Sequence, residues 1–305
     1  MRLAVSVDLD EISHYQRIHG EAARPTCDSP LYGRAVRRIA DWASQRRLPL
    51  TWFVVGQDLL RREAAATLSL LARAGDELGC HSYSHHYDLT RRPASEMREE
   101  VSRAVTAMRQ LTGAVATGFR APGYVVTDTL LDILRECGLA YDSSVFPCPA
   151  YYAVKAGAIA GMQARGRVSR SIVDVPEVLR APAVPYRVGR PYWFRGTGIL
   201  EIPIQVTRRA RLPFIGTALT MAGAMGARLL AQGVVGEPFV NLELHGIDAL
   251  DVDDGLQELG KKQRDLRIPW MKKLDAIDAA VGLLRSKGYV GVRMDELAAA
   301  ARATA

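Results

Sequence analysis

The chain has 305 residues, 48% of them hydrophobic, with 40 basic and 33 acidic side chains and a net charge of +7. That much apolar residue supplies an ample core, for one large α/β domain or two small ones. Four cysteines (Cys27, Cys80, Cys137, Cys148) lack both CxxC spacing and the density of a disulfide scaffold, and no apolar run approaches the ~18 residues that span a bilayer. The cysteines therefore read as reduced and mostly buried. The N-terminus enters a strand at once, without the pattern of a secretion signal, so the cytoplasm is the expected location. Arginine pairs from Arg37-Arg38 to Arg208-Arg209 read as a basic surface, with contact to an anionic membrane face left open. Nucleic-acid binding has no support beyond net charge.

In chain order, strand-type apolar runs alternate with amphipathic helical stretches, the pattern of parallel βα units. A first strand covers Leu3 to Leu9. A loop with Pro25 and Pro30 leads to a helix from about Tyr32 to Arg47. The second strand, Leu48 to Val55, precedes a helix from Gln57 to Ala74, and the third runs from Glu77 to Cys80. A helix from Ser95 to Thr112 ends at Gly113, a usual C-terminal cap. A strand from Thr117 to Ala121 stops at Pro122-Gly123, a helix runs from Thr127 to Cys137, and a short fifth strand spans Tyr141 to Val145. From Pro147 to about Glu237 the text is irregular, with one strand (Ile199 to Ile204) and one apolar helix (Ala218 to Val235). Order returns with the strand Phe239 to His245, a helix from Pro269 to Lys287, a strand from Val290 to Met294 and a terminal helix. The expected fold is α/β, a distorted (β/α) barrel of about seven parallel strands. It forms a single domain over 1–305, with an irregular insertion at about 147–237.

Asp8, Asp10, His81, Arg120, Asp142 and His245 all fall at strand C-termini, the face where barrels carry their sites. His81 and His85 are four apart, so both rings can reach one ion from a helical turn or a tight loop. Asp8 and Asp10 share a strand face, and either can supply a third ligand while the other stands free as a base. Two imidazoles and one carboxylate leave coordination positions open, which suits hydrolytic or oxidative chemistry. His86 reads as a neighbour or surface residue, and His14 and His19 as surface.

The ordered set Val-Asp-Leu-Asp, His-Ser-Tyr-Ser-His, Arg-Ala-Pro-Gly, Tyr-Asp-Ser-Ser and Leu-Glu-Leu-His resembles the polysaccharide deacetylase family of metal-dependent carbohydrate esterases. The resemblance implies Asp10, His81 and His85 as ligands of one divalent ion, zinc first and cobalt, nickel, manganese or iron as alternatives. It implies Asp8 as the base, Arg120 as the cation that orients it and His245 as the general acid. Backbone N–H groups near Gly123 or Tyr124 would hold the oxyanion. A protonated His245 needs a neighbouring carboxylate, for which Asp142 is the candidate.

Two departures stand out. The usual adjacent aspartates are spaced by Leu9, as in a subset that includes lipid-linked aminoarabinose deformylases. Phe146 replaces the usual tryptophan, which changes the expected acyl pocket. The implied activity is removal of an N-acyl group, first of all acetyl, from an amino sugar. A lipid- or nucleotide-linked substrate at the inner membrane face fits a chain without a secretion signal. Deformylation, hydrolysis of a non-sugar linear or cyclic amide, and a sugar-binding module without activity are the alternatives.

Overall fold

Strand β1, Arg2–Asp8, is buried from Leu3 to its end in a computed structural model that describes residues 1–19, 29–164, 166 and 172–303. A run buried on both faces is what a central parallel strand requires, because helices cover one face and the barrel interior the other. The first half continues through α1 (Ile12–Ile18), α2 (Val36–Gln45), β2 (Leu50–Val54), α3 (Arg62–Arg73), β3 (Glu77–Cys80), α4 (Ala94–Thr112), β4 (Gly118–Phe119), α5 (Asp128–Glu136) and β5 (Tyr141–Asp142). The second half holds α6 (Pro149–Gln163), β6 (Tyr186–Val188), β7 (Arg195–Glu201), α7 (Gly216–Val234) and β8 (Phe239–His245). It ends with the single turn α8 (Gln257–Gly260), α9 (Trp270–Ser286), β9 (Val290–Val292) and α10 (Met294–Arg302). Cys27 and the Pro25 turn lie outside the described residues.

The strands form one curled sheet in the order β6-β7-β5-β4-β3-β2-β1-β8, parallel throughout except for β6. One edge of β1 is shared: β9 registers with Arg2–Ala4 and β2 with Val5–Asp8. The other edge pairs with β8 along its whole length. The expected barrel is thus a half-barrel. Among the described residues no ladder joins β8 to β7, and side chains bridge the gap instead. Asn241 donates to Ser143 Oγ at 3.0 Å and to the Pro203 carbonyl at 3.3 Å, and it accepts from Ser6 Oγ. A single parallel bridge, Ile215 to Glu243, extends the β8 edge.

The stretch expected to be irregular contains more order than its composition suggested. Helix α6 (sequence PAYYAVKAGAIAGMQ) has no polar face, so no 3.6-residue alternation marks it. The β6–β7 hairpin is short and set among Gly, Pro and Arg, which conceals strand periodicity. The helix expected from Gln57 begins instead as a tight turn at Gly56–Leu60, and α3 proper starts after the extended residue Arg61. Behind β8, α7 packs along α9 through small side chains, Ala227 and Ala231 on one helix and Ala276 and Ala280 on the other, all fully buried.

Candidate active site

Parallel register gathers the chemistry at one edge of the sheet. Asp8 at the end of β1 lies level with Phe53 of β2 and His245 of β8. The backbone N–H of His81 extends the ladder to the Val54 carbonyl, and that of Arg120 bonds the Cys80 carbonyl. Four separate strands therefore present consecutive polar residues to the same end of the half-barrel.

Asp10, His81 and His85 are buried, and one ligand atom from each lies within 4.8 Å of the others. His81 Nδ1 donates to the Arg120 carbonyl at 2.7 Å, which leaves Nε2 facing Asp10 Oδ1, 3.1 Å away. His85 Nε2 approaches the same oxygen at 2.9 Å, yet among the described residues neither of its ring nitrogens makes a hydrogen bond. Burying two imidazole nitrogens unpaired is costly, and three inward-facing donors around one point fit a divalent cation. Although burial alone would raise it, the carboxyl of Asp10 is held well below its ordinary range by His85 and His81. The His pair sits in a loop, not a helical turn, with Ser82 (φ 61°) and His85 (φ 53°) in left-handed backbone. Such conformations persist only where the surroundings enforce them. Glu100 on α4 does so: it accepts from the Tyr83 and Ser84 N–H groups and from Ser84 Oγ, at 2.7–3.2 Å.

Asp8 is the spare carboxylate. It pairs with Arg120 Nη1 at 2.7 Å, both groups being fully buried. The guanidinium is fixed in turn by Ser6 Oγ, the Ser143 carbonyl and Ser143 Oγ, and it stacks 4.2 Å from the Phe53 ring. Burial raises the Asp8 carboxyl above the ordinary value, while Arg120 and His81 pull the other way.

The carboxylate beside His245 is Glu243, not Asp142. Glu243 Oε1 lies 2.8 Å from His245 Nδ1 on the same face of β8, as residues two apart on a strand must be. Burial would lower the imidazole, but Glu243 lifts it well above its ordinary value. Asp142 instead accepts from Ser144 at 2.8 Å and lies against Glu201, whose carboxyl is pushed well above the usual range by burial and by Asp142 itself. Asp142 thus belongs to a buried carboxyl pair in the wall. The sequence carried the signal for Glu243: Leu-Glu-Leu-His places it two before the histidine, on the same face.

Other expected residues fall as follows. The Tyr124 N–H donates to the Ala121 carbonyl at 3.0 Å, which leaves Gly123 of the two backbone amides, and the Tyr124 hydroxyl lies 3.3 Å from His245 Nε2. Phe146 is buried behind Tyr124 and Tyr151 in a small apolar cluster. His14 is not at the surface: it is buried, with its ring 4.2 Å from His85. His86 is half-exposed, 3.9 Å from Glu100, and His19 Nε2 lies 3.2 Å from Gln263 Oε1.

Residues 28–141 match the sequence model of the polysaccharide deacetylase family. The peptidoglycan deacetylase of Helicobacter pylori is 26% identical over 146 residues, 47% of this chain and 49% of that one, so the match spans about half of each. A Mycobacterium smegmatis structure assigned as a polysaccharide deacetylase superposes over 99% of this chain and 90% of its own, with a TM-score of 0.60 at 16% identity. An acetyl xylan esterase of Clostridium thermocellum, solved with a cobalt ion, gives 0.50 at 15% identity over 97% and 90% of the two chains. At these identities the solved structures establish the fold.

The polar groups floor a cavity of about 390 Å³. Its walls are largely apolar: Tyr15 and Ile18 of α1, Tyr151 and Val154 of α6, and Ile215, Ala218 and Met221 at α7. Among the described residues no helix is long and apolar enough to cross a membrane.

The role of Glu100 gives a test of the loop. Glu100→Gln removes the charge that collects two backbone N–H groups, so divalent-cation affinity should fall by about 10–100-fold, as when ligand supports are lost elsewhere. Isothermal titration with Zn²⁺ measures it, and unchanged affinity would remove Glu100 from the support of the His loop.

Proposed function

We propose that the chain hydrolyses the N-acyl amide of an amino sugar, with one divalent cation held by Asp10, His81 and His85. The observation that carries this reading is the pairing of a converged two-His, one-Asp triad with a second aspartate, Asp8, that Arg120 keeps apart from it. A bound ion would supply Lewis acidity, polarising the acyl oxygen and lowering the pKa of water from 15.7 towards ~7.

The chain's own groups do the rest. Asp8, raised by burial, takes a proton from water as it attacks the carbonyl carbon. Arg120 holds that carboxylate in line and keeps it from swinging onto the triad. The Gly123 N–H can donate to the acyl oxygen as charge develops there. His245, kept protonated by Glu243, gives a proton to the departing nitrogen, since an amine leaves far more readily than an amide anion. The C–N bond breaks, yielding a free carboxylate and the amine.

The apolar cavity walls favour a second, finer reading of the substrate: an amino sugar carried on a lipid, in preference to a long polymer. In that setting the chain works at the cytoplasmic face of a membrane, in keeping with the free thiols of Cys80, Cys137 and Cys148. Acetyl is the acyl group proposed, with formyl the alternative, and zinc the ion.

Activity should disappear on dialysis against a chelator and return with Zn²⁺ or Co²⁺. Full turnover in metal-free protein would overturn the proposal. Release of acetate from a lipid-linked N-acetylamino sugar, compared with a chitin oligomer, discriminates the substrates.

A further inference from the structure

Helix α6 breaks the rule that a helix apolar on every side is buried. It carries one charge, Lys155, in 15 residues, yet every residue of it is at least partly exposed and Val154 is 73% exposed. Lys155 itself points inward, donating to the Gly123 carbonyl at 2.7 Å. Helix α7 buries Leu219, Ala227, Ala231 and Val234 against the body and turns Met221 (56% exposed), Met225 (80%) and Leu229 (70%) outwards. The two helices border the same opening: Tyr151 and Val154 on one, Ala218 and Met221 on the other. A rim of large exposed apolar side chains around an apolar cavity is a docking surface.

The charge around this rim says what docks. Among the described residues, 143–164 and 202–236 contain five basic side chains (Lys155, Arg208, Arg209, Arg211 and Arg228) and no acidic one. The described segments that bear α6 and α7 are thus purely basic, with Arg209 and Arg228 exposed on them. Two copies meeting through this face would set basic residues against basic residues. An anionic headgroup layer complements them instead. With no helix among the described residues long and apolar enough to span, the contact is interfacial, apolar side chains entering the headgroup boundary by roughly 5–10 Å.

We propose that the α6–α7 rim seats the cavity mouth on an anionic lipid bilayer. The surface deepens the lipid-linked reading of the substrate given above, because a mouth held against the bilayer receives the sugar end of a lipid without extracting its tail. Met225 and Leu229 lie outside the cavity lining and anchor the rim away from the reacting groups.

Flotation of the full chain with vesicles tests this. Vesicles of phosphatidylcholine with phosphatidylglycerol should carry the protein, and pure phosphatidylcholine vesicles should not. The double variant Met225→Asp, Leu229→Asp should bind the anionic vesicles at least about tenfold more weakly, and Arg209→Glu, Arg228→Glu should do the same. Both should keep wild-type turnover on a soluble N-acyl amino sugar. Absence of flotation overturns the proposal. So does a wild-type dimer in sedimentation that Met225→Asp, Leu229→Asp converts to monomer, since a second copy would then cover the rim. Flotation of a protein inactive on every N-acyl sugar would keep the docking surface and sink the hydrolase reading alone.

Discussion

Asp8→Asn and Asp10→Asn should separate two functions that lie two residues apart. In Asp10→Asn the triad loses its only negative charge, so metal content should fall far below the about one ion per chain expected of the wild type. Turnover should fall with it and recover in part at high added Zn²⁺. In Asp8→Asn the metal should stay, because Asp8 is engaged by Arg120 and not by the imidazoles. Turnover should nonetheless drop by roughly 10²–10⁴, the usual contribution of a positioned base. Added metal should not restore it. Elemental analysis beside a turnover assay reads both variants. Asp8→Asn leaves a buried guanidinium short of its counter-charge, a change that costs about 3–5 kcal/mol when a partner is removed outright. Retention of the carbonyl oxygen as an acceptor should reduce that, and the melting temperature checks it. Loss of metal from Asp8→Asn with retention in Asp10→Asn would invert the assignment.

That these two aspartates could be told apart only in three dimensions shows where sequence reasoning stops. Periodicity located β3 and β8 to the residue, because β3 lies in the buried sheet with a clear turn behind it and β8 is a long apolar strand ending in a histidine. The polar residues at strand ends were equally legible, since a charged group at the close of an apolar run has few structural reasons to be there. What failed were contacts between distant segments. Asp142 and Glu243 are both carboxylates near strand ends; Glu243 could be read from its place two before His245 on one strand face, whereas the pairing of Asp142 with Glu201 of β7 shows only in the fold. His14 looked like a surface residue because α1 is a seven-residue helix after a loop-like stretch, yet its ring covers His85. Helix α6 went unread for the reason that makes it informative: with no polar face, it offers no alternation to detect, and none of its residues is fully buried.

Glu243 leads to the second large effect. Glu243→Gln should move the alkaline limb of the kcat/KM profile to lower pH and reduce turnover above neutrality by roughly 10². The wild-type imidazole of His245 is raised because its cation gains Glu243 as a buried partner, and burial alone would push it down. With a neutral amide in that place burial dominates, and the ring loses its proton before the pH at which the wild type does. Stability should follow the same sign. The raised His245 contributes fully below its ordinary value of 6.5 and loses that contribution as pH rises through its folded value. The lowered Glu243 contributes above its ordinary 4.5 and loses it as pH falls through its folded value. The difference in stability between wild type and Glu243→Gln should therefore be widest between those two values and shrink towards alkaline pH. Denaturant titrations at several pH values, set beside the rate profile, test both halves. Should the alkaline limb stay where it is while metal binding is unchanged, the proton on His245 does not reach the leaving nitrogen, and the acid must be sought elsewhere among the groups on the cavity floor.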